Sequence, residues 1–254
     1  MVEKSTQHTS DVCAHGLSHT GQVRAHNEDS FRIFQESQLY AVADGLGGHR
    51  AGEIASQLAI TTIEHELQRP AQSTNDDQPL QQLLYFTNQA HHKIRAQSQN
   101  NIDQRGMGTT LVMAMIKKNI AYITNVGDSR AYIVNNAGIT QLSQDHTLRQ
   151  EADMTLHNSA AHRNQLTQAL GCNTALTPWT TKHTLHHNDH LLLCTDGLWN
   201  MLDEIEIRNI IMSHSNLIDA NNALVTRANE LGGYDNITVI LVKYTDNNAP
   251  EELK

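Results

Sequence analysis

Lysine and arginine are scarce in this chain: 18 of them stand against 27 aspartates and glutamates, a formal net charge of −9 over 254 residues. Neutralising a nucleic-acid backbone takes clustered basic side chains, so a general nucleic-acid-binding surface is excluded. Cysteine is scarcer still. Cys13, Cys172 and Cys194 are too few and too scattered for a disulfide framework, and they lack the CxxC spacing of a zinc site. They read as the reduced thiols of a cytoplasmic protein. No apolar run approaches the roughly 20 residues that span a bilayer, and the opening MVEKSTQHTS has no signal-peptide apolar stretch. The expectations are a cytoplasmic location, no membrane contact and, by default, a monomer. Repeats and low-complexity tracts are also missing.

Histidine is plentiful, with sixteen residues, yet there is no HExxH. Adjacent pairs such as His91-His92 and His186-His187 should point away from each other on a regular element. Most histidines are therefore expected to be surface residues. Hydrophobic residues make up 39% and charged residues 18%, an ordinary globular balance. One domain over residues 1–254 is expected, with its core at about 11–244 and a polar tail at 245–254.

Strand-like runs at 31–34 and 38–43 precede two segments with helical period. In the first, Ala51, Ile54, Ala55, Leu58, Ala59, Ile63 and Leu67 line one face. In the second, Leu80, Leu83, Leu84, Thr87, Ala90 and Ile94 do the same. The polar stretch 69–79 between them reads as a surface loop. Runs at 109–116, 120–126 and 130–134, separated by turn residues, suggest an antiparallel meander. Residues 144–171 are polar and irregular. Further strands are expected around 179–185, 190–194 and 236–244, with a helical region whose start carries Asp203 and Glu206 at capping-box spacing. Residues 120–126 are apolar on both faces, which implies burial on both. The grouping of strands and helix pairs is α+β: antiparallel sheets with helices outside.

Carboxylates recur where these strands end. Asp44-Gly45 closes LYAVA, Asp128 follows AYITNVG, Asp196-Gly197 closes HLLLCT, Asp235 precedes NITVILV, and Glu28 and Asp29 precede SFRIF. Any one of them is an ordinary turn residue, since turns favour Asp and Gly. Five such sites abutting apolar strands point further. Converging carboxylates repel unless cations lie between them, and all-oxygen sites suit Mg²⁺ or Mn²⁺. Two such ions about 4 Å apart can activate a water and stabilise the oxyanions of phosphoryl transfer. Arg24 offers a planar fork that matches two phosphate oxygens.

The segments RAHNED (24–29), DGLGGH (44–49), MGTT (107–110), NVGDSR (125–130), QDHT (144–147), LLLCTDGLW (191–199) and GGYDNIT (232–238) together resemble the ordered motifs of the metal-dependent protein phosphatases. These are the PPM, or type 2C, serine/threonine phosphatases. The resemblance covers roughly residues 16–242, and the compact length and DGLGGH form are most similar to bacterial members. It implies an α-β-β-α sandwich of two antiparallel sheets flanked by helix pairs. It also implies that Asp44 bridges two Mn²⁺ or Mg²⁺ ions, with Glu28 and the Gly45 carbonyl on one and Asp196 and Asp235 on the other. Asp29 would orient metal-bound water, Arg24 would bind the substrate phosphate, and Asp128 with Asp196 would serve a third, weaker ion. A water bridging the first two ions would attack phosphorus in line. The partners implied are phosphorylated proteins and a cognate Ser/Thr kinase.

Two departures stand out. Some relatives carry a histidine directly after the Asp-Gly of the second motif, where this chain has Leu46; His49 is the candidate substitute for protonating the leaving group. The stretch 147–163 falls where bacterial relatives carry a flap, here shorter. Alternatives are a pseudophosphatase binding module, which the full set of carboxylates disfavours, and a phosphatase of anti-sigma-factor antagonists, which Arg24 disfavours. A two-metal nuclease would add a basic groove that this composition lacks.

Overall fold

The computed structural model describes residues 4–9, 12–47, 51–69, 78–148, 165–172 and 175–246. Twelve strands lie among them: β1 (Lys4–Thr9), β2 (Val12–His19), β3 (Asp29–Phe34), β4 (Leu39–Leu46), β5 (Gly108–Thr109), β6 (Leu111–Lys117), β7 (Ile120–Val126), β8 (Arg130–Asn135), β9 (Gly138–Gln141), β10 (Trp179–Thr184), β11 (His190–Cys194) and β12 (Ile237–Tyr244). The helices are α1 (Ala51–Gln68), α2 (Pro79–Asn100), the single-turn α3 (Asp196–Trp199), α4 (Glu204–Ser213) and α5 (Leu217–Glu230). One sheet runs β1-β2-β12-β11-β8-β9 and the other β10-β7-β6-β4-β3, with β5 paired to β4. The pairings are antiparallel.

The two sheets face each other through a core that includes Phe31, Tyr40, Val112, Ile123, Ile133, Leu193 and Ile240. Alternation along each strand sends the other side chains outward to a helix layer. From β4, Leu39, Ala41 and Ala43 meet Ala55, Ala59 and Ile63 of α1 and Leu83 and Ile94 of α2. Alanines on both sides of this contact let the helix approach the sheet closely. On the opposite face, Tyr132, Leu192 and Leu241 pack under Ile207 and Ile211 of α4 and Leu224 of α5. The result is the expected α-β-β-α sandwich. Burial on both faces of 120–126 is what the structure shows: Ala121 and Ile123 lie between the sheets, while Val126 lies under α1 and α2.

The expected three-strand meander is not formed. β6 and β7 pair, but β8 joins β11 and β9 in the other sheet. Gly127, at φ +96°, lets the chain leave one sheet for the other where a non-glycine residue would be strained. The helix start at Asp203 is half a capping box. The Asp203 carboxylate accepts from the Glu206 N–H at 2.8 Å, but the Glu206 carboxylate turns to Arg227. Strand β1 lies before the expected core boundary at residue 11, while β2 and β9 were not expected as strands.

Among the described histidines, His15, His91, His146 and His190 are buried rather than at the surface. The Nδ1 atoms of His91 and His146 accept the backbone N–H groups of Gly171 and Gly127. The His91 and His92 rings also meet edge-on at 5.4 Å instead of pointing apart. All three cysteines are free, and burial raises each thiol pKa. No helix among the described residues is long and apolar enough to cross a membrane.

Candidate active site

The strand ends that carry the carboxylates gather at one edge of the sandwich. Asp29 opens β3 and Asp44 lies near the end of β4, and the two are direct cross-strand partners. Antiparallel register alone would set two negative charges side by side, an arrangement that costs stability in water and more when buried. Asp196 follows β11 as the first residue of α3, and Asp235 stands just before β12. Both are close enough to raise the pKa values of Asp29 and Asp44.

Backbone and hydroxyl groups hold this frame. The Asp44 N–H donates to Thr110 Oγ1 at 3.0 Å, and that hydroxyl shares a 2.7 Å hydrogen bond with Ser129. Thr195 donates its hydroxyl to Asp29 Oδ2 at 2.9 Å. Gly45 N–H donates to the Glu28 carbonyl at 3.1 Å. Asn236 ties the Arg24–Asp29 loop to β12. Its amide donates to the carbonyls of Thr20 and His26 at 2.8 and 2.9 Å, and its Oδ1 accepts the Glu28 N–H at 2.8 Å. Gly197 fits beneath it because a Cβ there would collide with the Asn236 carbonyl.

The electrostatics follow from burial and crowding. Burial first, then the charges of neighbouring carboxylates, pushes the Asp29 pKa up to about 7. The same causes push Asp128 to about 7, with Asp196 the strongest neighbouring charge, and Asp196 to about 6, with Asp235 the strongest. Asp44 is held well above the usual carboxylate range by burial and by Asp29, Asp196, Asp128 and Asp235. Glu28 is raised by burial, against the opposing pull of Arg24. Oδ1 of Asp29 and Oδ1 of Asp196 are buried without a donor. Asp44 and Asp196 approach as two acceptors, so a hydrogen bond between them needs a proton held on one of them.

Arg24, half exposed, extends from the loop after β2 and donates to Asp235 Oδ2 at 2.7 Å. Among the described residues no three His, Cys, Asp or Glu side chains are grouped so that they could hold a metal ion as they stand, and the Arg24 pairing takes up one oxygen of Asp235. The donor chemistry nevertheless fits hard divalent cations. The candidate side-chain donors are oxygens, and two carboxylate oxygens are buried and unsatisfied, a costly arrangement that a cation relieves. The structure therefore brings together Arg24, Glu28, Asp29, Asp44, Gly45, Asp196 and Asp235, with Asp128 beside Asp196. His49 lies outside the described residues, as does most of 147–163.

Several supporting residues were not singled out from the sequence. Asn236 and Thr195 sit inside quoted motifs, so the signal was present without its meaning. Arg130 forms a buried ion pair with Asp145 at 2.7 Å, stacks 3.6 Å from the Trp199 ring centroid, and donates to the Tyr132 hydroxyl. Trp199 in turn donates its indole N–H to the Asp128 carbonyl at 3.1 Å. This cluster links α3, which begins at Asp196, to the crossover that carries Asp128.

Known proteins share this fold and resemble this sequence. A profile of the family described as protein phosphatase 2C matches residues 15–231. The chain is 35% identical over 232 residues to the serine/threonine phosphatase Stp of Listeria welshimeri, covering 88% of this chain and 92% of that one. The Streptococcus agalactiae serine/threonine phosphatase superposes with a TM-score of 0.82 at 31% identity, over 97% of this chain and 100% of that one. The catalytic domain of the serine/threonine phosphatase PstP, solved in complex with two manganese ions, superposes with a TM-score of 0.79 at 31% identity, over 93% and 99%. Fold, carboxylate frame and relatives converge: the chain belongs to the protein phosphatase 2C family of serine/threonine phosphatases.

Proposed function

We propose that this chain acts in the cytoplasm, as a monomeric single domain, to hydrolyse phosphoserine and phosphothreonine in proteins modified by a cognate Ser/Thr kinase. In this reading Asp44, Glu28, the Gly45 carbonyl, Asp196 and Asp235 would hold two divalent ions, Mn²⁺ or Mg²⁺, with Asp44 shared between them, and Asp128 with Asp196 would hold a weaker third. When bound, the ions supply Lewis acidity and a water acidic enough to act at neutral pH. The observation that carries the reading is the set of buried, mutually repelling carboxylates with two unsatisfied oxygens. It is an arrangement a fold retains at a cost unless cations compensate it.

The chain's own residues then divide the work. Arg24 leaves Asp235 to take two phosphate oxygens with its planar fork, which frees Asp235 as a ligand. Asp29, steadied by Thr195, accepts a hydrogen bond through Oδ1 and orients the group that donates it. His49 is assigned the proton delivered to the leaving hydroxyl.

Turnover of a phosphothreonine peptide and of a small aryl phosphate with Mn²⁺, Mg²⁺ or EDTA tests this. Metal-dependent hydrolysis should vanish in Asp196→Ala, and Arg24→Ala should raise KM. Undiminished hydrolysis in Asp196→Ala, or in EDTA, would sink the assignment.

A further inference from the structure

Scattered exposed hydrophobics are ordinary on a protein surface. Here, however, three of the eight large ones among the described residues, Val23, Leu231 and Tyr234, fall on the two loops that carry Arg24 and Asp235. Val23 and Tyr234 are each 63% exposed, and each immediately precedes one member of the Arg24–Asp235 pair. The loops form one frame. Gln22 N–H donates to the Gly233 carbonyl at 2.8 Å, Arg24 pairs with Asp235 at 2.7 Å, and Asn236 holds Thr20 and His26 from below. Neither side chain joins any of the three core clusters of the described residues; the Tyr234 ring lies over Gly232 with its outer face exposed. Behind the same frame, a shallow groove of about 450 Å³ runs between β2 and α5, with Leu17 and Val225 on its floor and Gln22 on its rim.

We propose that Val23 and Tyr234 form a substrate subsite that receives an apolar or aromatic side chain next to the phosphorylated serine or threonine. The inference rests on Arg24 as the phosphate-binding residue. Val23 is the chain neighbour of Arg24, and Tyr234 that of its partner Asp235; the subsite would take the substrate residue one Cα spacing, about 3.8 Å, from the phosphorylated one. An extended polypeptide crossing there has the groove as its continuation. The subsite selects by desolvation: an apolar neighbour covers both exposed side chains, while a charged neighbour would lose its hydration against them without a partner.

The test uses phosphothreonine peptides identical except at the two residues flanking the phosphothreonine, which are leucine or phenylalanine, serine, or aspartate. N-acetyl-phosphothreonine amide is the minimal substrate. The native enzyme should favour the apolar-flanked peptides about tenfold in kcat/KM, mainly through KM. Val23→Ser with Tyr234→Ser should erase that preference and leave the minimal substrate and the thermal midpoint unchanged. Val23→Lys should move the preference toward the aspartate-flanked peptide. Equal kcat/KM across the flanks in the native enzyme, or a preference that survives the double change, overturns the subsite. No metal-dependent turnover of the minimal substrate overturns the phosphatase reading beneath it, and the two failures are distinguishable.

Discussion

Without divalent ions this protein should lose stability as pH rises from 6.5 to 8. Asp29 and Asp128 are pushed from 3.8 to about 7, and Asp44 lies well above the usual range, because the first two are buried and Asp44 is half-buried and desolvated among other carboxylates. In the unfolded chain these groups ionise near pH 4, so above that pH the folded state holds more protons than the unfolded one. Stability is then present in full below the unfolded pKa and is lost as pH climbs through the folded one. The histidines act in the opposite sense. His190, lowered by burial to about 4, and His91, also lowered, are neutral when folded while the unfolded chain is still protonated. They add stability up to about pH 6.5 and little beyond it, which is why the window begins there. A group with a folded pKa near 7 withdraws about 1 kcal/mol between pH 6.5 and 8, so Asp29 and Asp128 together withdraw on the order of 2 kcal/mol, and Asp44 adds to the loss in the same direction. Protons leave such a cluster in sequence, which spreads the loss across the window. For a chain of this length the melting midpoint should fall by roughly 5–10 °C. Thermal melts in EDTA at pH 6.5, 7.25 and 8 measure it. Repeating them in Mn²⁺ should reverse the trend, because cations displace protons more easily as pH rises. A metal-free midpoint that stays level or climbs would refute the claim that these carboxylates share a desolvated pocket.

Arg130→Ala should cost about 3 kcal/mol in urea unfolding, because it leaves the buried Asp145 carboxylate without its charge partner and with the Gln141 amide as its remaining side-chain donor. Arg130→Met combined with Asp145→Leu should recover most of that loss. Gly197→Ala should cost about 1–3 kcal/mol, since the new methyl group meets the Asn236 carbonyl and the backbone must move; calorimetry should also show weaker Mn²⁺ binding. Asn236→Ala removes the acceptor for Glu28 N–H and both donors to the loop carbonyls. It should lower stability by about 2–4 kcal/mol and weaken Mn²⁺ binding more than phosphate-analogue binding.

The elements legible in the sequence were those whose pattern is local. The alanine and isoleucine spacing of 51–67 reports one buried face, and residues 120–126 announce burial on both sides because apolar side chains point each way. Strand β2 escaped because His15 and Ser18 interrupt its apolar pattern. Both are buried, but their partners are distant: Asn221 for His15, and Thr238 for Ser18. The turn at Gly127 was visible as a turn, but a tight hairpin and a crossover to a second sheet use the same local residues. Only the pairing of β8 with β11, some 60 positions later, decides between them.

The same distinction runs through the site. The carboxylates could be read because they recur at the ends of five apolar strands, although each alone is an ordinary turn residue. The groups that hold them are ordinary polar residues that gain meaning only through contacts across the chain, such as Asn236 with Glu28 over 208 positions and Thr195 with Asp29 over 166. Those contacts also explain why the site persists despite its electrostatics. Repulsion among Asp29, Asp44, Asp196 and Asp235 acts to open the strand ends. Against it stand the Thr110–Ser129 hydroxyl pair, the Asn236 amide and the Arg130–Trp199 stack, anchored in strands, in the turns between them and in α3. A frame fixed in that way keeps the carboxylates close, and so leaves to cations the stabilisation that the side chains do not give one another.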